Sequence, residues 1–195
     1  MANRNTAGFG LIAQGTVGST MASQGQGKYY IDAGYTDDLF QGASVRMKNG
    51  YIVEASSTRT FATIGVFNGI FYNDASTKKP TFANFYNQPI TPANSEDITA
   101  FVIDNPNQLF VGAIDASAAQ SQYGRTYGLT VTAAGSDLSG QSSSTLTYAT
   151  RHDTNNQWRL VRSAEDPENN EDAAFRSVVV AHNLNQYFTG AVTWQ

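Results

Sequence analysis

Residues 34–72 read GYTDDLFQGASVRMKNGYIVEASSTRTFATIGVFNGIFY, short alternating segments punctuated by glycine with no helical period. Within this stretch Val45, Arg46 and Met47 lead into Asn49-Gly50 and out again through Tyr51, Ile52 and Val53. Asn-Gly supplies the two positive φ values that a tight type I′ turn demands, so residues 45–53 read as a β-hairpin. Residues 63–72, TIGVFNGIFY, form the longest strand candidate. Gly65 and Gly69 inside it point to bulges or close backbone approach, because glycine in a strand otherwise weakens it without filling space.

Outward from this stretch the same pattern repeats. Residues 29–32, 98–103, 109–114, 125–131, 144–150, 157–161, 175–181 and 187–194 all carry strand-like runs. Residues 104–107, Asp-Asn-Pro-Asn, form a turn in which side chains bond the local backbone and proline sets φ. Residues 152–156 read as a hairpin loop and residues 135–143 as a Gly- and Ser-rich loop. Residues 117–122 alone hint at a helical turn. Residues 73–94 hold Pro80, Pro89 and Pro92 and read as an ordered excursion that interrupts any ladder, anchored by Phe82, Phe85 and Tyr86. About ten strands at roughly ten- to fifteen-residue spacing predict an all-β fold, an antiparallel barrel or sandwich. Residues 28–195 are expected to form a single β-rich domain, with two lobes as the alternative and 73–94 as an inserted loop region. Residues 1–27, rich in Gly, Ser, Thr, Gln and Ala, read as an extended N-terminal arm that is either disordered or ordered by contact with something else, the second favoured because Phe9, Leu11 and Ile12 would be wasted on solvent.

Composition narrows the function. Only 14% of the 195 residues are charged, against about a quarter in ordinary soluble domains. Such a surface is either rich in neutral polar groups or covered in an assembly. Ten Tyr and eleven Phe exceed what one core needs, and aromatic rings are favoured in subunit contacts. The net charge of −4 and the lack of clustered Lys and Arg speak against non-specific affinity for nucleic acid, and no specific nucleic-acid partner is expected. No apolar run is long enough to span a bilayer and the N-terminus lacks a secretory signal layout, so no membrane partner is expected and synthesis in the cytoplasm follows. Without cysteine and with two histidines, zinc and disulfides are not expected.

The candidate chemistry is thin. Adjacent His152 and Asp153 would point to opposite faces of a strand and suit a solvated loop better than a bidentate site. His182 beside Asn183 suits a turn or interface. Residues 165–172 hold five carboxylates but lack the alternating ligand pattern and terminal bidentate Glu of a calcium loop. Asp37 and Asp38 suit a turn cap. With Asp104 they would supply a carboxylate-dependent hydrolase, the weakest of three readings. No phosphate cradle or nucleophile elbow is present. The chain is expected to be no enzyme, with no cofactor and no metal.

Several blocks carry a resemblance. GFGLIAQ, FQGASV, IGVFNGIFYND with KPTFANFY, FVIDNPNQLFVGAID and WRLVRSAEDPENNEDAAFRSVVVAHNLNQY resemble a family of tailed-phage virion proteins found beside major capsid proteins. The resemblance extends over most of the chain and implies a β-rich head decoration or cement protein on the capsid surface. The family pattern singles out Phe40, Gly42 and Val45, then Gly65, Val66, Phe67, Gly69 and Tyr72, then Asp104, Pro106 and Phe110. Their roles are structural: Phe and Val fill a core, Gly permits a bulge, Asp-x-Pro fixes a turn. Asn170 and Glu171 stand where the family pattern leads one to expect an aromatic residue or glycine. The implied partner is the major capsid protein, with self-association as a homotrimer. Shell or subunit contact would fall to Phe9, Leu11, Ile12, Phe82, Phe85 and Tyr86. Removal of residues 2–27 would then weaken addition to shells while leaving the domain folded. A receptor- or glycan-binding module of a tail fibre or spike is the alternative, although no stalk or coiled-coil repeat is present.

Overall fold

The Asn49-Gly50 turn forms as the sequence predicts, with φ of 51° and 87°. It joins β3 (Ser44–Lys48) to β4 (Tyr51–Glu54) in antiparallel register, Lys48 opposite Tyr51. The structure is a computed structural model that describes residues 3, 5–18, 25–55, 61–130 and 135–188. Two sheets carry almost all of it. The first adds β2 (Gly27–Ile31), β5 (Gly65–Asn73), β6 (Pro80–Ala83) and β7 (Ile98–Ile103) to the hairpin, in the order β2-β7-β5-β3-β4, with β6 following β3 along the edge of β5 opposite β7.

The second sheet closes on itself. It contains β8 (Gln108–Ile114), β9 (Thr126–Leu129), β12 (Leu146–His152), β13 (Trp158–Ser163) and β14 (Arg176–His182). The order runs β8-β12-β9-β13-β14 and returns to β8, a five-stranded barrel whose one parallel contact is Leu146 with Ile114. Closure leaves a free edge stretch at the start of β8, because β12 meets that strand only at Ile114. Between β9 and β12 lies a small ribbon of β10 (Gly135–Ser136) and β11 (Gln141–Ser142), within the stretch read as a loop.

Each sheet has its own core, and β5 is the wall between them. Val66 packs with Leu11, Phe110, Tyr127, Trp158 and Val180 in the barrel core, whereas its neighbour Phe67 packs with Ile31, Val45, Ile52, Ile98 and Val102 in the other. Successive side chains of a strand point to opposite faces, so one strand can serve two cores. Both glycines of β5 answer to close approach. A Cβ on Gly65 would stand 2.3 Å from the Ile103 carbonyl oxygen. Gly69, at φ +153°, follows a bulge after Phe67.

The described part of the N-terminal arm is extended and bound by its own chain. β1 (Ile12–Thr16) pairs antiparallel with β8, occupying the stretch of its edge from Gln108 to Val111. Leu11 is 2% exposed, its N–H donates to the Gly42 carbonyl, and the Asn3 amide donates to the carbonyls of Ala173 and Ala174. The arm therefore supplies part of the barrel core, which corrects the expectation that residues 2–27 could be removed from an intact domain. At the other end the segment after β14 returns to the first sheet. Asn185 bridges Thr63, and the Gln186 side chain accepts from the Met47 N–H and donates to its carbonyl.

Other readings are also corrected. Residues 73–94 do not interrupt the ladder: β6 begins at Pro80, where a strand's first residue needs no N–H, and pairs with β5 from Ile70 to Asn73. The turn at 104–107 forms as read, with the Asn107 N–H donating to Asn105 Oδ1, and it carries the chain from the first sheet to the barrel. Residues 152–156 do not close a hairpin, because β12 and β13 lie on opposite sides of β9. Phe175 sits in a left-handed turn at φ 58° rather than in a strand. Of residues 187–194, the first two form a turn and the rest lie outside the described residues.

Candidate functional site

Three places concentrate surface chemistry, and the first is an aromatic row. On the solvent face of the first sheet, Tyr30 of β2 stands opposite Thr99 of β7, Thr99 opposite Phe71 of β5, and Phe71 opposite Phe82 of β6. Tyr30, Phe71 and Phe82 are 43%, 39% and 63% exposed. Phe101, one row away, packs its ring 5.9 Å from Phe82 over the space that Gly69 leaves open. Alternation places Ile70, Ile98 and Ala100 inward on the same strands. Aromatic cross-strand pairs stabilise a sheet, but a row of this width left exposed marks a contact surface.

The second is a groove of about 540 Å³ where the 104–107 turn faces the segment after β14, lined by Gln26, Asp104, Pro106, Tyr187 and Phe188 among others. Tyr29 donates to Asp104 Oδ2 at 2.6 Å, and its oxygen lies 2.5 Å from that of Tyr187. Gly27 makes this approach possible, since a Cβ there would stand 2.2 Å from Asp104 Oδ2. Burial first, then the hydrogen bonds to Asp104 and Tyr187, push the Tyr29 hydroxyl far above its ordinary range, so it remains a donor.

The third is a cavity of about 340 Å³ beside it, with His182, Pro106 and Phe188 in its wall. The imidazole lies against Trp158, ring centroids 4.3 Å apart, and edge-on to Phe110. Burial lowers its pKa to about 3. Both ring nitrogens are covered and unpartnered among the described residues, so the ring acts as a packing element rather than a general base. The sign of the linkage follows: the unfolded chain binds a proton on His182 that the folded chain refuses. Stability is fully present above the unfolded value of about 6.5 and is lost as pH falls towards the folded value, by at most about 1.4 kcal/mol per pH unit. Denaturant midpoints at pH 7, 5.5 and 4.5 should fall more steeply for the native chain than for His182→Phe; equal slopes would remove His182 as the source.

The residues singled out from sequence divide clearly. Val45, Phe67 and Phe110 are fully buried and Phe40 is 3% exposed, stacked on Phe85. Tyr72 packs against the first sheet's core. Gly42 turns the chain at φ 91° beneath Leu11. Of the proposed contact residues, Leu11 and Tyr86 are buried and offer no surface, a correction that follows from their place in the two cores. Ile12 and Phe82 are exposed, so Phe82 is no anchor of its loop. Phe9 and Phe85 are half-buried, Phe9 in the wall of a cavity with Gln41 and Asn68. Asp104 and Pro106 fall in the groove. Tyr29 and Tyr187 were missed, because nothing local in the sequence joins residues at a separation of 158.

The acidic run is a clasp. Glu171 pairs with the fully buried Arg176 at 2.8 Å, and the Asn169 amide donates to the Ser163 hydroxyl and to the carbonyls of Ala164 and Ser177. Among the described residues no three His, Asp or Glu side chains are grouped to hold a metal. His152 accepts from the N–H groups of Thr154 and Asn155, and Asp153 pairs with Arg125. Asp38 caps the Gln88 N–H, and neither it nor Asp37 lines the groove that holds Asp104. Comparison of the chain with protein-family models, with curated proteins and with solved structures returns no match.

Proposed function

We propose that this chain is a capsid decoration or cement protein, which binds the major capsid protein on the outside of an assembled tailed-phage shell and stabilises it. The observation that carries the reading is the exposed row of Tyr30, Phe71 and Phe82 on a rigid sheet. Two of its members, Phe71 and Phe82, lie in the blocks whose wording resembles tailed-phage virion proteins. Rings held on paired strands lose little entropy on docking, and a few such anchors dominate the energy of an interface. The protein is made in the host cytoplasm, meets the shell as a homotrimer and resides on the capsid surface.

Shells that lack the protein provide the test. The double variant Phe71→Ser, Phe82→Ser should fold, since both side chains face solvent, yet occupy such shells at least about tenfold more weakly. Unchanged occupancy with unchanged thermal stability would sink the row as the docking surface. Binding of the same row to a glycan array, with the protein located on the tail, would replace the reading by a receptor-binding one.

A further inference from the structure

The Tyr29, Asp104 and Tyr187 cluster has a direction that can be derived by counting protons. Each phenol carries one hydrogen. Tyr29 gives its hydrogen to Asp104, a carboxylate that has none to return. The short contact between the two phenol oxygens is then a hydrogen bond only if Tyr187 is the donor. The relay runs from Tyr187 through Tyr29 to Asp104, and every hydrogen in it points inward. Both Tyr187 and Asp104 line the groove, and what the cluster has left to offer there is acceptor capacity: the Tyr187 oxygen, whose hydrogen is used, and Asp104 Oδ1, which has no hydrogen bond among the described residues.

The rest of the lining has the same sign. Among the described residues that line the groove, Asp104 carries the only formal charge. Its walls are the rings of Tyr187 and Phe188, 53% and 71% exposed. Aromatic faces are negative and attract cations, above all where a carboxylate stands at the end of the slot. Gln26 and Asn105 are neutral and offer a carbonyl oxygen as readily as an N–H. An anion would be repelled, and a neutral sugar would leave the charge of Asp104 unpaired.

We propose that this groove receives a basic side chain, arginine or lysine, from the protein surface on which the chain docks. The identity of that surface rests on the function proposed above; the chemistry of the groove does not. An acidic chain with pI near 5.0 would gain in this way a directional, charge-assisted contact beside the apolar one of the aromatic row.

The test uses the full chain in solution and no shell, so its outcome is independent of the occupancy assay. Aromatic NMR signals of Tyr187 and Phe188 are followed during titration with N-acetyl-arginine amide, with its neutral isostere N-acetyl-citrulline amide, and with glucose. The arginine compound should shift both signals saturably, with a dissociation constant on the order of millimolar, while the two neutral probes leave them in place. Asp104→Asn should weaken the response about tenfold, and Asp97→Asn, an exposed carboxylate outside the groove, should not. Equal shifts with citrulline or glucose would overturn the proposal, as would a full arginine response in Asp104→Asn. The comparison of arginine with citrulline needs no variant, so a misfolded substitution cannot rescue the idea.

Discussion

Replacing Arg176 by alanine is expected to lower the free energy of unfolding by about 3–5 kcal/mol, read as a fall in the urea midpoint at constant slope. Arg176 is the first residue of β14 and has no exposed surface. Its guanidinium donates to the Ala118 carbonyl, to the Tyr123 hydroxyl at 2.7 Å and to Glu171 at 2.8 Å. The substitution opens a cavity and orphans the Ala118 and Tyr123 acceptors together, which is why the expected loss exceeds that of a typical point change. Glu171→Gln should cost less, about 1–2 kcal/mol, because its side chain is 68% exposed and water screens the pair. A loss below about 1 kcal/mol for Arg176→Ala would mean that the clasp between the acidic run and the barrel contributes little.

Leu11→Ala is expected to cost about 2–5 kcal/mol, whereas Ile12→Ala one residue on should stay within about 0.5 kcal/mol. The two residues are of equal size and differ sharply in burial: Leu11 is 2% exposed in the barrel core and Ile12 is 49% exposed on its surface. Leu11 also lies directly over Gly112, where a Cβ would come within 2.9 Å of its Cδ2. Thermal or urea denaturation of both variants decides the point. Similar small losses would show that the arm rests on the barrel without belonging to it. A large loss at Leu11 means that arm truncation is an unsuitable probe of shell binding, since it would damage the barrel at the same time. Point changes at Phe9 and Ile12 then become the way to ask what the arm touches.

What could be read from the residues was whatever local chemistry decides. The Asn49-Gly50 hairpin rests on two adjacent dihedral demands, and the bulge and close approach at Gly69 and Gly65 rest on the lack of a side chain. The β-rich class and most strand positions followed from alternation. Strand partners did not, because a turn such as 104–107 looks the same whether it joins neighbours or crosses between sheets. β6 was hidden by Pro80, which is tolerated only because it opens an edge strand. The groove was half visible: Asp104 and Pro106 stood out as turn residues, but the two phenols that orient the carboxylate come from β2 and from beyond β14. The aromatic row needed the register of four strands, which composition announces only as an excess of rings.

The seating of β1 on β8 has a consequence in time. Ile12 cannot find Val111 until the ribosome has reached β8, and the barrel beneath it cannot close until β14 pairs with β8. Contacts so distant along the chain slow folding, because the loop must close before its bonds reward it. β1 is thus made well before it can be placed. Until then Leu11 and its neighbours remain uncovered, and a newly made chain passes through a sticky interval in which two copies could exchange these strands before either has finished folding.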